Sequence, residues 1–385
     1  MPLKVAMISA FPERPGIVTG GVEGVAYCLG IGLRRIADID LHIVSPAFHR
    51  PEGIEDRDGI TIHWLKIPFP PFLTNWSLYR RLIHRHLAIL QPDIAHFQGV
   101  ASWLLGYQGP CVLTIHGIYE RDLLYSGGRF IGIRRRVVAF SERLGRQRSP
   151  NTIVINPYVM DEIGDQIRGQ HWHIENPVTH TFFEGERAQV GQRVLFIGRI
   201  CKRKNVDGLL RAFAEARKTV PEATLHIAGT AESQEYENSC RRYVAERGLL
   251  DAVKFLGNVD REKLLQQIRE AACLVLVSHQ ETAPMIVEEA MAVGVPVLVS
   301  RICGLPYMVE EGKTGYLVDQ MNEGEIVGRL VNLLEDGEGN RSMGERCRQV
   351  ARERFHADRV AEKTMAVYRE ILGIPQGTPH EMRLS

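Results

Sequence analysis

The sequence predicts an α/β protein with two doubly wound parallel sheets, one in each half of the chain, facing each other across a cleft. Short β-branched runs alternate with amphipathic segments along nearly the whole chain, as parallel sheets covered by helices on both faces require. The 385 residues are enough for two domains. The second half also repeats the alternating architecture of the first, which favours two similar domains.

Besides a short strand at 173–175, six strands are predicted in each half. In the first half they cover residues 4–9, 41–45, 60–66, 93–97, 112–116 and 152–155. In the second half they cover residues 194–197, 224–228, 253–256, 273–277, 295–300 and 315–318. Segments between them, such as 206–217 and 286–293, have the apolar period of helices.

A polar stretch around residues 176–190 marks the domain boundary, because it follows a short predicted strand at 173–175 and precedes a new strand. Two further helices are predicted near the C-terminal end. The expected organisation is a first domain over 1–180, a second over 181–356, a C-terminal helix over 357–373 and a flexible tail over 374–385.

Composition excludes several protein classes. The hydrophobic share of 44% and charged share of 24% are ordinary for a globular chain and exclude disorder, collagen and coiled coil. Apolar runs such as 273–277 are too short to span a bilayer. The net charge of +1 points to no partner. Seven cysteines without metal or redox spacing, together with no recognisable signal peptide, predict a cytoplasmic protein.

The loop after the predicted strand 273–277 contains the strongest motif. Glu281 lies in this loop, and Pro284 stands where a helix should begin, since proline is preferred at the first helical position. The amides of the next residues then form an anion site. Glu289, about one turn further, suits a pair of hydroxyls. This pattern suits a sugar nucleotide; a surface helix with an acidic first turn is the alternative.

A basic loop follows the predicted strand 194–197. It contains four cations in six residues, of which Arg199 and Lys204 are suited to clamp a diphosphate. Asn205 is expected to cap the next helix. A solvated basic loop is the alternative.

Two weaker signals lie in the first half. Gly20 and Gly21 follow the first strand and allow close approach of backbone to a phosphate, although their spacing is not that of a dinucleotide site. His116 ends a strand and is a candidate hydrogen-bonding or acid–base group. A flexible loop and a structural histidine are the alternatives.

Together these motifs resemble the retaining glycosyltransferases of family 4, whose GT-B fold consists of two Rossmann-like domains. The resemblance extends from about residue 4 to residue 372. Its most specific part is the pair Glu281 and Glu289 with seven residues between them, and Gly198-Arg199 with Lys204 is next. Weaker matches are Gly20-Gly21, His116-Gly117, 175–178, Gly229, 255–259 and 312–318.

The resemblance implies roles for these positions. Arg199 and Lys204 would hold the donor diphosphate, and Glu289 the ribose hydroxyls. Gly21, beside Gly20, would pass close to the diphosphate. The resemblance further places His116 near the reacting sugar carbon and Val259 at the base. It also places Glu281, with the backbone of Thr282, Ala283, Pro284, Met285 and Ile286, at the donor sugar and phosphate.

The family also implies that the acceptor binds mainly to the first domain and that the last helix returns to that domain. One departure is Thr282-Ala283-Pro284, where many members have Gly-aromatic-Gly. Pro284 has no N–H, so one possible phosphate donor is absent, which is expected to alter donor preference.

The expected activity is a retaining, hexosyltransferase-type transfer from a nucleoside-diphosphate sugar to a glycan, lipid-linked or small-molecule acceptor, as in polysaccharide biosynthesis. No cofactor, metal or nucleic acid is expected. The Asp-x-Asp pairs at 38–40 and 56–58 do not fall at the predicted cleft edge. A front-face reaction is preferred, with double displacement through Glu281 as the rival. Alternative functions are a non-catalytic nucleotide-sugar binding protein, a nonhydrolysing sugar-nucleotide epimerase and a nicotinamide oxidoreductase.

Two basic segments, near residues 76–90 and 129–148, raise the question of a membrane partner. Both carry arginines beside apolar residues. They suit peripheral contact with an anionic membrane that carries a lipid-linked acceptor. The alternative is that their apolar faces pack onto the sheet.

Overall fold

In a computed structural model of the protein, each half of the chain forms its own sheet. The structure describes residues 2–18, 20–36, 39–67, 74–125, 131–185, 187 and 191–375. Within these residues the first sheet has eight strands and the second has six. The predicted α/β fold with two doubly wound domains is therefore confirmed.

The first sheet has the strand order β3-β4-β2-β1-β5-β6-β7-β8, and all neighbours are parallel except β3 and β4. The sequence does not predict β3. It predicts a strand at 173–175, whereas β8 begins three residues earlier, at Gln170. The strands are β1 (Leu3–Ile8), β2 (Ile39–Ala47), β3 (Gly53–Arg57), β4 (Ile60–Lys66), β5 (Ile94–Gln98), β6 (Cys111–Ile115), β7 (Asn151–Val154) and β8 (Gln170–His173).

The second sheet has the order β11-β10-β9-β12-β13-β14 and is parallel throughout. The strand order reverses between β9 and β12, and ligands of such sheets bind outside the carboxyl ends of the strands at this point. Its strands are β9 (Arg193–Ile197), β10 (Thr224–Ala228), β11 (Val253–Gly257), β12 (Cys273–Leu276), β13 (Val297–Ser300) and β14 (Gly315–Val318).

Helices cover the faces of both sheets. No helix of the described residues combines the length and the apolar character needed to cross a bilayer. The helices are α1 (Gly21–Arg35), α2 (Thr74–Leu90), α3 (Tyr119–Asp122), α4 (Ile131–Arg148), α5 (Pro157–Ile163), α6 (Val206–Ala216), α7 (Gln234–Glu246), α8 (Arg261–Arg269), α9 (Met285–Val293), α10 (Glu323–Glu335), α11 (Gly337–Arg354) and α12 (Ala357–Leu372).

The core of the first domain lies on both faces of its sheet, as β1 illustrates. Val5 and Met7 belong to one buried cluster, while Ala6 and Ile8 belong to the cluster on the opposite face. This follows from the two-residue period of a strand, and it explains why these strands read as continuous apolar runs.

Helix α12 lies on the first domain although it follows the second in the chain. Its residue Tyr368 is fully buried in the cluster that contains Val5, and its hydroxyl is 2.6 Å from Nδ1 of His96. The chain passes between the domains at Val178 and at Phe355, whose carbonyl accepts a 2.7 Å hydrogen bond from the Val178 amide. The two crossings thus lie side by side.

Candidate active site

A cleft of about 1430 Å³ lies between the two domains, at the carboxyl ends of both sheets. It is lined by the loops that follow β1, β6, β9, β10, β11 and β12. The structure thus brings together every site residue named from the sequence. These are Gly20, Gly21, His116, Arg199, Lys204, Val259, Glu281, Thr282, Ala283, Pro284, Met285, Ile286 and Glu289.

The N-terminus of α9 opens into this cleft. Pro284 precedes the first helical residue, Met285, so the helix begins one residue later than expected. The amide of Val287 donates to the Pro284 carbonyl at 3.0 Å, whereas the amides of Met285 and Ile286 have no acceptor among the described residues. Two N–H groups at the positive end of a nine-residue helix form a site for an anion.

Lys204 and Glu281 form a buried ion pair in the cleft wall. Only 8% of Lys204 and 6% of Glu281 is exposed, and Nζ of the lysine contacts Oε1 of the glutamate. Arg203 lies 3.5 Å from the same oxygen and also donates to the Gln280 carbonyl at 2.8 Å. The loops after β9 and β12 are therefore tied together by charge before any ligand binds.

Asn205 occupies the predicted N-cap position of α6, and its carbonyl accepts a 3.1 Å hydrogen bond from the Leu209 amide. Its side chain makes no capping hydrogen bond. Instead its amide donates to the carbonyls of Val277 and Gln320, and its backbone is left-handed with a φ of 53°. Asparagine tolerates this conformation better than most residues. Arg199, earlier in the same loop, is exposed and makes no hydrogen bond or ion pair within the described chain.

Glu289 lies on the inner face of α9, and burial raises the pKa of its carboxyl to about 7. The guanidinium of Arg261, 3.8 Å from Oε1, opposes this rise. Arg261 also donates to Oγ1 of Thr179 at 2.7 Å, and its backbone amide donates to the Gly16 carbonyl at 3.2 Å. It packs over the rings of Tyr27 and Phe182.

Arg261 thus connects the second domain, the first domain and the interdomain segment beside one carboxylate. Sequence reasoning missed it, because no motif marks it. The available signal was its position two residues after Val259, in a loop that follows a strand.

The neighbouring Glu288 is also buried. Burial, together with the carboxylates of Glu175 and Glu289, raises its pKa well above the ordinary value. The side-chain amide of Asn176 lies 3.4 Å from Oε1 of Glu288 and donates to the Ala283 carbonyl at 3.1 Å. This contact ties the interdomain segment to the loop before α9.

The wall contributed by the first domain has fewer charges. A Cβ atom placed on Gly20 or Gly21 would have no atom of a more distant residue within 4 Å, so the space beside this loop is open. Nε2 of His116 donates to Oε1 of Gln98, and burial lowers the pKa of His116 to about 4. The imidazole is therefore neutral near pH 7.

Asp122 and Tyr236 line the cleft as well and were not predicted. Burial raises the pKa of Asp122, and Arg203 opposes the rise. Tyr236 in α7 donates its hydroxyl hydrogen to Asp207 in the preceding helix, α6. In the described part of the chain, no group of three or more His, Cys, Asp or Glu side chains could hold a metal ion.

Two family models match consecutive parts of the chain. "Glycosyltransferase Family 4" matches residues 19–180, and "Glycosyl transferases group 1" matches residues 180–350. The chain therefore belongs to the glycosyltransferase family whose two domains these models describe. The resemblance inferred from Glu281, Glu289, Arg199 and Lys204 is thereby confirmed.

Relatives of known name support the family assignment. This glycosyltransferase is 28% identical to D-inositol 3-phosphate glycosyltransferase of Acidothermus cellulolyticus, over 96% of the chain and 91% of the relative. The fold is shared with sucrose-phosphate synthase of Thermosynechococcus elongatus, with a TM-score of 0.82, 21% identity and coverage of 96% and 99%. It is also shared with the HepE protein of Anabaena, solved in complex with UDP-glucose, with a TM-score of 0.71, 16% identity and coverage of 96% and 100%.

Proposed function

We propose that this glycosyltransferase moves a hexose from a nucleoside-diphosphate sugar to a glycan, lipid-linked or small-molecule acceptor, with retention of configuration and without a metal ion. The observation that carries the proposal is the convergence of two free helix amides, a cluster of cations and a buried carboxylate in one cleft. In a nucleotide sugar, the diphosphate is an anion that matches the helix amides and the cations. The hydroxyl groups of the sugar and the ribose match a carboxylate that accepts hydrogen bonds.

In the proposed donor complex, Arg199, Lys204 and the amides of Met285 and Ile286 bind the diphosphate. Glu289 accepts hydrogen bonds from the ribose hydroxyls. Gly21 passes close to the diphosphate from the first domain, and Val259 lies against the base. The Anabaena protein of the same fold, which is solved with UDP-glucose, supports a nucleotide sugar as the ligand class.

The mechanism we propose is a front-face reaction. The bond between the anomeric carbon and the diphosphate oxygen breaks while the acceptor oxygen bonds to the same face of that carbon. The leaving phosphate oxygen takes the proton of the acceptor hydroxyl. Arg199, Lys204 and the helix amides stabilise the charge that develops on this oxygen. His116, neutral at pH 7, supplies a polar contact near the reacting carbon.

Double displacement with Glu281 as the nucleophile is the rival mechanism. The cations around Glu281 argue against it, because Lys204 contacts its carboxylate and Arg203 lies 3.5 Å away. A carboxylate stabilised by two cations is a weaker nucleophile than a free one. Trapping a glycosyl ester on Glu281 would establish the rival.

We further propose that the reaction takes place in the cytoplasm and serves the synthesis of a glycan. All seven cysteines are free and six of them are buried. Unpaired thiols suit a reducing compartment.

The first test measures the thermal stability of the protein with UDP, GDP, ADP and NAD, for the wild type and for Glu289→Ala. A ligand at 100 times its dissociation constant stabilises a fold by about 2.7 kcal/mol. We expect a shift with one nucleoside diphosphate that is lost in the variant. A shift with NAD alone would refute the donor assignment.

The second test incubates the matching nucleotide sugars with candidate acceptors, with and without a metal chelator. We expect transfer that the chelator does not reduce, and a product with the donor's anomeric configuration by NMR. Binding without turnover would favour a non-catalytic protein. Conversion of the donor sugar to its epimer would favour an epimerase.

A further inference from the structure

Three apolar residues of α4 face solvent, whereas an ordinary surface helix turns its apolar residues toward the core. Ile133, Val137 and Phe140 follow a spacing of four and three residues, and they are 59%, 40% and 70% exposed. Such spacing places the three side chains on one stripe of the helix. A helix that covers a sheet normally turns such a stripe inward.

The inner face of α4 is polar instead. Its buried residues are Glu142, Gly145 and Arg146. Glu142 accepts hydrogen bonds from the amides of Ala101 and Ser102, at 3.0 and 3.2 Å, and Arg146 pairs with Glu120. These contacts fix the helix without its apolar stripe, which therefore remains outside.

Arginines flank this stripe. Arg136 and Arg143 lie along one side of it and Arg134 along the other, as the 100° step of a helix dictates, and all three are exposed. Arg136 and Arg143 form no ion pair within the described chain. Glu142, the one acidic residue of the helix, is buried. The surface is therefore apolar at its centre and cationic at its edges.

Helix α2 provides the contrast within the same domain. It buries Tyr79, Ile83 and Leu87 against the sheet, so the packing alternative accounts for its main apolar face. Leu78, Leu82 and Ile89 of α2 are exposed as well, so the contrast lies in the inner faces. Helix α2 has a buried apolar face in addition, whereas the buried residues of α4 are Glu142, Gly145 and Arg146 and its apolar stripe is entirely outside. Residues 129 and 130 lie outside the described part of the chain.

We infer that the stripe of Ile133, Val137 and Phe140 with its flanking arginines docks on an anionic lipid bilayer, with α4 lying in the interface. An apolar stripe between cations is the pattern of interfacial helices. Anionic headgroups attract each basic residue near the surface. A second copy fits less well, since a two-fold contact would bring the arginines against arginines.

The position of α4 relates this surface to the cleft. Arg134 lies 3.4 Å from the hydroxyl of Tyr119, and both residues line the cleft. A bilayer bound to α4 would therefore adjoin the cleft entrance. If the proposed transferase activity holds, this placement selects the lipid-linked class among the possible acceptors.

The test measures sedimentation of the full chain with phosphatidylglycerol-containing vesicles and with pure phosphatidylcholine vesicles, at low and high salt. Two double variants are compared with the wild type: Ile133→Ser with Phe140→Ser, and Arg136→Gln with Arg143→Gln. Leu250→Ser and Arg242→Gln are the matched controls, because both residues are exposed and lie in the second domain; Leu250 is 71% exposed.

We expect salt-sensitive binding to the anionic vesicles only. The apolar variant should bind at least about tenfold more weakly, and each arginine replacement should weaken binding about fivefold at low salt. Both controls should bind like the wild type. All of the variants are on the surface, and an unchanged melting temperature with and without nucleotide would show that each of them is folded.

Three results would overturn the inference. They are no binding of the wild type at low salt, binding that the α4 variants share with the controls, and a wild-type dimer that Phe140→Ser dissociates without any vesicle binding. Vesicle binding needs no turnover, so failure of the transferase proposal would appear separately, in the nucleotide-shift and transfer assays.

Discussion

The two walls of the cleft differ in how they hold their charges. The wall from the second domain contains fixed pairs, Lys204 with Glu281 and Arg261 with Glu289. The wall from the first domain offers open backbone at Gly20 and a neutral imidazole. Charges fixed before binding need little reorganisation during a reaction, which suits a diphosphate leaving group. A wall with fewer charges instead suits hydroxyl groups, so the difference supports a donor side on the second domain and an acceptor side on the first.

The largest effect is expected from breaking the charge pair of the second wall. In Lys204→Met the Glu281 carboxylate stays buried with only Arg203 nearby. Loss of one partner of a buried pair costs about 3 kcal/mol of unfolding free energy. Loss of a preorganised positive group should lower the transfer rate about a thousandfold. Denaturant unfolding and turnover measure the two effects.

Lys218→Met is the control for this variant, because Lys218 is an exposed lysine outside the cleft lining, in the turn after α6, and it pairs with Glu215 near the end of that helix. It should keep both the stability and the rate of the wild type. A Lys204→Met enzyme with more than about a tenth of the wild-type rate would show that this wall does not depend on the fixed pair.

The second prediction concerns the pH dependence that Glu289 confers. Its pKa is about 7 in the folded protein, against an ordinary value of 4.5. As pH rises between these values the unfolded chain loses this proton first, so the carboxyl destabilises the fold by up to about 3 kcal/mol at pH above 7. Glu289→Gln should remove that loss. The measurement is the free energy of unfolding against pH for both proteins.

Glu288 has a raised pKa too, mainly through burial, and the Glu289 carboxylate contributes to that rise. The difference between wild type and variant therefore contains the titration of Glu289 together with its effect on Glu288, and both act in the same direction. Nucleotide affinity should show the opposite sign, strengthening in the wild type as the carboxylate forms near pH 7, and should be weak and flat in Glu289→Gln. Parallel stability curves for the two proteins would contradict the assignment. Glu246→Gln, on the surface, is the control.

The third prediction tests whether Arg261 positions and stabilises the Glu289 carboxylate for nucleotide binding, or only packs against its neighbours. Its charge opposes the rise in the pKa of Glu289. Arg261→Gln should therefore move the midpoint of nucleotide binding to higher pH and weaken affinity at pH 7 about tenfold. Arg261→Lys keeps the charge and should restore the midpoint, although it loses the contacts with Tyr27 and Phe182. If the pH midpoint of nucleotide binding were the same in all three proteins, Arg261 would have only a packing role.

The sequence predicts the central strands of both sheets well, since buried parallel strands such as β1 and β12 are continuous apolar runs. It misses β3, whose residues Gly53–Arg57 are largely polar and exposed, because an edge strand buries little and leaves no apolar period. It misplaces β8 for the same reason, as Gln170–His173 has no fully buried residue.

The candidate site divides in the same way. Glu281, Glu289, Arg199 and Lys204 follow strands in recognisable patterns, so they could be named from the sequence. Arg261 could not, because its partners Thr179 and Gly16 are distant in the chain. The N-cap position of Asn205 was predicted correctly, but its side chain bonds to two distant carbonyls, of Val277 and Gln320, and makes no capping hydrogen bond.

The smallest effect is expected on the first wall. His116 has a pKa of about 4 because it is buried, so it should act as a neutral hydrogen-bonding group. Loss of one such group costs about 1 kcal/mol, and His116→Ala should lower the transfer rate roughly tenfold or less. The ratio of wild-type to variant rate should then stay constant between about pH 5 and 8. The exposed His171→Ala is the control. A ratio that changes with a midpoint near the ordinary histidine pKa would mean that the ring titrates during catalysis, and the first wall would then contribute acid–base chemistry and not only a polar surface.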